Sequence, residues 1–141
     1  IYVFIWSLVF LYLILKIKDL YKNIDNMPII VNTKSTIISQ ARVKQMVQFI
    51  ELNYHKKISL NDIALNSNIS KSEALRCFKS NLKISPIKYL IQFRLNKAKN
   101  MLENKHISIS QVSSHCGFES TSYFDRMFKR YYGVSPKEYK K

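Results

Sequence analysis

The sequence predicts an all-α fold in which two similar units of short helices are joined by one long helix and preceded by an apolar one. Three observations predict it. Apolar residues recur at three- and four-residue spacing in segment after segment, the period of a helix buried along one stripe. Only 2 Gly and 3 Pro occur in 141 residues, and they fall at turns. Residues 107–139 repeat the pattern of residues 58–90, so one unit has been used twice.

Residues 1–15, IYVFIWSLVFLYLIL, carry no charge and no proline. A helix apolar all round is read in two ways. As a membrane span it falls short of the roughly 20 apolar residues required, and Lys16, Lys18 and Lys22 would mark its cytoplasmic side. As the last helix of an upstream sensor or dimerisation domain it needs only missing partners. The chain begins with Ile rather than Met, so residues 1–34 are expected to be an apolar helix and linker ending a longer upstream domain. Neither the n-region nor the cleavage site of a signal peptide is visible. Asn, Asp and Pro interrupt residues 23–34, NIDNMPIIVNTK, which read as the linker. A second domain is expected over 35–141. It opens with a helix from about Ser35 to Tyr54, whose Ile38, Val43, Met46, Val47, Ile50 and Tyr54 lie largely on one side.

Residues 58–90 form the first copy of the repeat. Ile58-Ser59 matches Ile107-Ser108. Arg76, Phe78-Lys79, Ser85-Pro86 and Tyr89 match Arg126, Phe128-Lys129, Ser135-Pro136 and Tyr139 at an offset of 50. Ser70-x-x-Glu73 caps the copy's second helix. Asn68 stands where the second copy has Gly117, and Asn tolerates left-handed geometry. Lys83 stands for Gly133; if φ is positive there, Lys costs on the order of 1 kcal/mol. Ala74 and Leu75, set against the aromatics Tyr123 and Phe124, are the weaker matches and make this copy the poorer reader.

Pro86 to Leu102 reads as the connecting helix, about 26 Å long at 1.5 Å per residue. Ile87, Leu90, Ile91, Leu95, Ala98 and Leu102 form its apolar face, and Lys88, Arg94, Lys97 and Lys99 keep it basic. In the second copy Ser108 and Gln111 make a capping box, and Gly117 ends the short helix they open. A helix from about Ser120 to Tyr131 follows, with Tyr123, Phe124, Met127, Phe128 and Tyr131 at helical spacing and Thr121, Ser122, Asp125, Arg126 and Lys129 on its other face. Gly133 closes it, and Ser135-Pro136-Lys137-Glu138 opens a last helix.

Short helix, tight turn and polar-faced helix make the plan of a helix-turn-helix DNA reader. The string Gly117-Phe118, Ser122-Tyr123-Phe124, Arg126, Phe128-Lys129, Gly133, Ser135-Pro136 and Tyr139 resembles the C-terminal motif of the AraC/XylS family of bacterial transcription regulators. Tyr89, Leu90, Arg94-Leu95, Ala98 and Leu102 resemble that family's linking helix. Ser113 departs from the pattern, which usually has Ala there. The resemblance covers residues 58–140. It implies a homeodomain-like architecture with a first helix-turn-helix over about 58–82, a linking helix over about 86–102 and a second helix-turn-helix over about 107–132. It also implies an N-terminal sensor or dimerisation domain, which favours the second reading of residues 1–15.

Charge agrees. The chain has 23 Lys and Arg against 9 Asp and Glu, a net +14, which calls for an anionic partner. Double-stranded DNA is expected, with sequence read by one recognition helix per unit in successive major grooves, about 34 Å apart. Arg76 and Arg126, midway along those helices, are candidates for bidentate contacts to guanine; a salt bridge within the domain is the other reading of each. Ser72, Thr121, Ser122 and Asp125 are further base-edge candidates. Lys71, Lys79, Lys129 and Lys137 are candidates for phosphate. RNA polymerase is an expected partner if the protein activates, and a homodimer would form through the N-terminal region. The DNA-binding domain is expected in the cytoplasm. The alternative function is a membrane-tethered signalling protein whose basic face binds anionic lipid, attached through residues 1–15.

Other classes fall away. No paired carboxylates, Ser/His/Asp arrangement or Gly-rich phosphate loop is present, so no enzyme is expected. Cys77 and Cys116 form no CxxC and read as reduced, buried thiols. His55, His106 and His115 make no ligand spacing. No metal or cofactor is expected.

Overall fold

A computed structural model describes residues 11–20, 22 and 28–140. Residues 11–20 are helical (α1), so the described part of the expected apolar helix is a helix; residues 1–10 of that stretch lie outside the described residues. Then follow α2 (Pro28–Asn53), α3 (Leu60–Asn66), α4 (Lys71–Leu82), α5 (Pro86–Leu102), α6 (Ile109–His115), α7 (Thr121–Tyr132) and α8 (Pro136–Tyr139). No strand occurs among the described residues. The chain divides into two units, residues 1–39 and 40–141.

Helix α2 begins at Pro28 rather than near Ser35, so residues 28–34 of the expected linker are helical. Proline suits this position, because the first helical N–H has no partner to lose. The rest of the expected linker, residues 23–27, lies outside the described residues. Ile38, expected on the core side of α2, is 44% exposed. The buried stripe starts at Val43, five residues on and about 140° round the helix from Ile38, and continues through Met46 and Ile50.

The unit 40–141 has two cores. Val43, Met46, Ile50, Ile63, Ala64, Ala74, Cys77, Phe78 and Leu90 make the first. Leu95, Ala98, Leu102, Val112, Cys116, Phe118, Phe124 and Phe128 make the second. Helix α5 serves both, with Leu90 in one and Leu95, Ala98 and Leu102 in the other. The end of α2 thus stands to the first helix-turn-helix as the end of α5 stands to the second. The start of α5 and the four-residue α8 are likewise counterparts: Ser85 and Ser135 cap them, and Pro86 and Pro136 are buried at their first positions.

The two cores are filled differently. The second carries a run of rings, with Phe118 to Phe124 at 5.0 Å between centroids, Phe124 to Phe128 at 5.6 Å and Phe128 to Tyr139 at 5.7 Å. The first has Ala74 where the second has Phe124, and Met46 and Ile50 of α2 are buried in that core. The weak sequence match at Ala74 therefore marks a different filling of the same frame, not a missing core. Cys77 and Cys116 are free and buried; burial pushes the Cys116 thiol up to about 11.

A serine stands before each of the helices from α3 to α8, its hydroxyl accepting from the backbone N–H three residues on: Ser59, Ser70, Ser85, Ser108, Ser120 and Ser135. Each such cap contributes about 1 kcal/mol. In α3, α6 and α8 the third residue (Asp62, Gln111 or Glu138) answers with its own side chain and completes the box.

Candidate nucleic-acid interface

The two helix-turn-helix units are α3–α4 and α6–α7. Each needs a left-handed residue in its turn and another after its second helix. Asn68 (φ 52°) and Gly117 (φ 80°) take the first place, Lys83 (φ 61°) and Gly133 (φ 80°) the second. At both ends the N–H of the left-handed residue closes on the carbonyl four back, Lys79 or Lys129.

The units are joined by more than α5. Arg94 donates from Nε to the Tyr54 carbonyl at 2.7 Å and from Nη2 to the Lys56 carbonyl at 2.8 Å. Its guanidinium carbon lies 5.9 Å from the centre of the Phe118 ring. Burial pulls this guanidinium below its ordinary value. A Cβ added to Gly117 would come within 2.5 Å of the same Tyr54 oxygen. The turn of the second unit thus packs directly on the chain leaving α2. Lys57 and Glu119 pair across the same joint at 2.8 Å, both exposed; their hydrogen bond raises Lys57 and lowers Glu119 from their usual values. A cleft of about 700 Å³ opens there, lined by residues of both units. By sequence Arg94 counts among the cations that keep α5 basic and among the residues that resemble the family's linking helix, with no contact assigned to it. The missed signal was its place on the buried stripe, four residues from both Leu90 and Ala98.

On α7, Ser122, Arg126 and Lys129 are exposed. Steps of four and three residues put them on one side of the helix. Among the described residues no ion pair holds Arg126. Thr121 is half-buried at the helix start. Asp125 is half-buried, and its Oδ1 is buried without a hydrogen-bond partner. Tyr123 and Tyr131, grouped by spacing with the apolar face, are 37% and 47% exposed; their hydroxyl-bearing rings lie at the edges of that face. Lys137 is exposed on α8, off the recognition helix.

On α4, Lys71, Ser72, Arg76 and Lys79 are exposed. Arg76 is not free. It donates from Nε to Glu73 Oε2 at 3.0 Å and from Nη2 to Glu73 Oε1 at 2.7 Å. Arg42 of α2 reaches the same Oε1 at 2.8 Å. The Arg76 fork holds Glu73 below the usual carboxylate range. The salt-bridge reading of Arg76 is therefore the observed one. An exposed pair of this kind contributes only about 0.2–1 kcal/mol. Ser70 caps α4, but Glu73 leaves the box open because its carboxylate is turned to the arginines.

Two helix-turn-helix units, each presenting a polar helix face with an arginine midway, define a class: a double-headed reader of duplex DNA. The comparisons with known proteins place the chain within that class. Residues 58–141 match the family described as helix-turn-helix domain. An uncharacterised HTH-type transcriptional regulator of Bacillus subtilis, YdeC, is 38% identical over 108 residues, 77% of this chain and 37% of its own. An AraC-type DNA-binding domain protein from Chromobacterium violaceum superimposes with a TM-score of 0.67 at 31% identity, covering 72% of this chain and 91% of its own. The DNA-binding domain of AdpA, solved in complex with a target DNA, gives 0.66 at 27% identity over 69% of this chain and 87% of its own. The chain belongs to the AraC/XylS family of transcription regulators. It spans less than half the length of YdeC. No helix among the described residues is long and apolar enough to cross a membrane.

Proposed function

We propose that residues 40–141 bind double-stranded DNA sequence-specifically and that the protein regulates transcription in the cytoplasm. Helices α4 and α7 enter successive major grooves on one face of the duplex. Arg126 and Arg76 read guanines, with Ser72, Thr121, Ser122 and Asp125 at base edges. Lys71, Lys79, Lys129 and Lys137 hold phosphates, which fix register and carry no sequence information. One observation carries the reading: exposed Arg126, with no ion pair among the described residues, shares a single face of α7 with Ser122 and Lys129. RNA polymerase is a further partner if the protein activates, and a second copy of the protein is one if the N-terminal region dimerises.

Salt tests the reading. With six to ten phosphate contacts, affinity for a duplex should fall about 10³–10⁵-fold between 50 and 200 mM salt. Fluorescence anisotropy of a labelled duplex measures it. A nearly flat dependence, with strong binding to anionic vesicles, would overturn DNA binding in favour of lipid.

A further inference from the structure

We propose that Glu73, backed by Arg42, is a positioning residue that aims Arg76 at a base through a two-bond clamp. The inference rests on the DNA-binding proposal and adds to it residues on which sequence recognition by the first unit depends.

The geometry decides between two roles for the Arg76–Glu73 pair. A guanidinium has five N–H donors in a planar fork. Glu73 takes the side edge, the Nε hydrogen and one Nη2 hydrogen. The end edge, one Nη1 hydrogen and the second Nη2 hydrogen, remains, as does the other Nη1 hydrogen on the Cδ side. That edge presents the paired donors that match O6 and N7 of guanine. The salt bridge therefore leaves the reading edge open while removing most of the rotational freedom of an otherwise exposed side chain, 72% of which is in solvent. Pairing within the domain and reading of guanine are compatible.

The carboxylate is itself held. Glu73 Oε1 accepts from Arg42 at 2.8 Å and from the Cys77 thiol at 3.5 Å, and its side chain is only 24% exposed. Arg42 sits on α2, outside the helix-turn-helix, so the clamp is anchored to the first core and not to α4 alone. Two cations around one anion also leave the cluster net positive beside phosphate. In α3, α6 and α8 the residue three past the cap bonds back to it; in α4 that side chain is used on arginine. The second unit has Tyr123 at the position of Glu73, so Arg126 has no counterpart clamp.

The test is the base preference of the full chain, read by selection from a random duplex pool and compared with affinity for random DNA. Arg76→Ala should erase a guanine preference at one position of the first half-site, a loss of about ten- to a hundredfold. Glu73→Gln, nearly isosteric, should lose most of the same preference while leaving random-DNA affinity equal or higher, since an anion is removed. Glu73→Asp keeps the charge but withdraws the clamp by one methylene, and should also lose it. In an Arg76→Ala background neither change should move the preference further. A thermal melt of each variant excludes unfolding. A sharpened guanine preference in Glu73→Gln would show that Glu73 restrains Arg76 instead of aiming it; an unchanged one would show that Arg76 needs no clamp. Either overturns the proposal with DNA binding intact. A wild-type chain that selects no sequence at all overturns the functional reading beneath it.

Discussion

The two helix-turn-helix units follow the same backbone path and hold it by different means. Both turns demand positive φ, met by Asn68 in the first and Gly117 in the second. Both recognition helices end on a left-handed residue, Lys83 in the first and Gly133 in the second. Only the surroundings distinguish the choices. A side chain at Gly117 would strike the Tyr54 carbonyl, whereas nothing lies within 4 Å of a Cβ at Gly133. The comparison teaches that the fold fixes the dihedral angle, while the neighbour fixes whether glycine is required. The readers differ in the same sense. Arg76 is clamped and Arg126 has no ion pair among the described residues; Glu73 stands in one helix where Tyr123 stands in the other.

The largest effect should come from Gly117→Ala. It combines left-handed strain with a backbone oxygen that cannot withdraw without moving α2, Arg94 and the joint. About 2–4 kcal/mol of destabilisation is expected, read as a lowered midpoint in urea. Asn68→Ala at the equivalent turn has no joint to disturb and should cost about 1 kcal/mol. Equal costs at the two positions would break the comparison and mean that the second turn does not bear on the first unit.

Next comes the pair of arginines. Arg126→Ala should cost about 1–3 kcal/mol on a selected site and little on random duplex. Its lost preference should map to base pairs about one helical turn from those affected by Arg76→Ala. Equal losses on selected and random DNA, with an unchanged melt, would mean that α7 grips backbone and that the reading face lies elsewhere.

Much of this was legible in the sequence because caps and left-handed turns are local. The Ser108 and Ser135 boxes, the end of α7 at Gly133 and the span of α5 follow from single residues and their third neighbours. The second core followed from periodicity, which placed Phe124 and Phe128 inside, and Phe78 followed by its match to Phe128. What was not legible depends on contacts distant in sequence. Arg94 reads as one more cation on a basic helix until Tyr54, 40 residues earlier, brings it two carbonyls. Ser70-x-x-Glu73 reads as a capping box until Arg42, on another helix, competes for the carboxylate. Ile38 stands five residues before Val43, about 140° round the helix from it, so it falls off the stripe that Val43, Met46 and Ile50 share, while its neighbour Ser39 is half-buried. Grouping by approximate side is too coarse where a residue is five places from its nearest partner.

The smallest effect sharpens the comparison at the far end of the recognition helices. Lys83 holds a left-handed angle that costs a side-chain-bearing residue about 1 kcal/mol or slightly more. Replacing it with glycine removes that strain but adds about 0.5–1 kcal/mol of chain entropy in the unfolded state. It also loses the exposed bond from Lys83 Nζ to the Ser80 carbonyl. The net expectation for Lys83→Gly is a change near zero, at most a gain of about 0.5 kcal/mol. Lys83→Asn should gain about as much, because Asn relieves part of the strain without the entropy of glycine. The reciprocal change, Gly133→Lys, should cost about the same small amount, since no neighbour waits for its side chain. Midpoints of urea unfolding at constant slope resolve differences of this size. A cost from Gly133→Lys as large as that of Gly117→Ala would mean that the helix end, like the turn, is held by a contact and not by its dihedral angle alone. The two copies would then obey different rules at both ends of the reader.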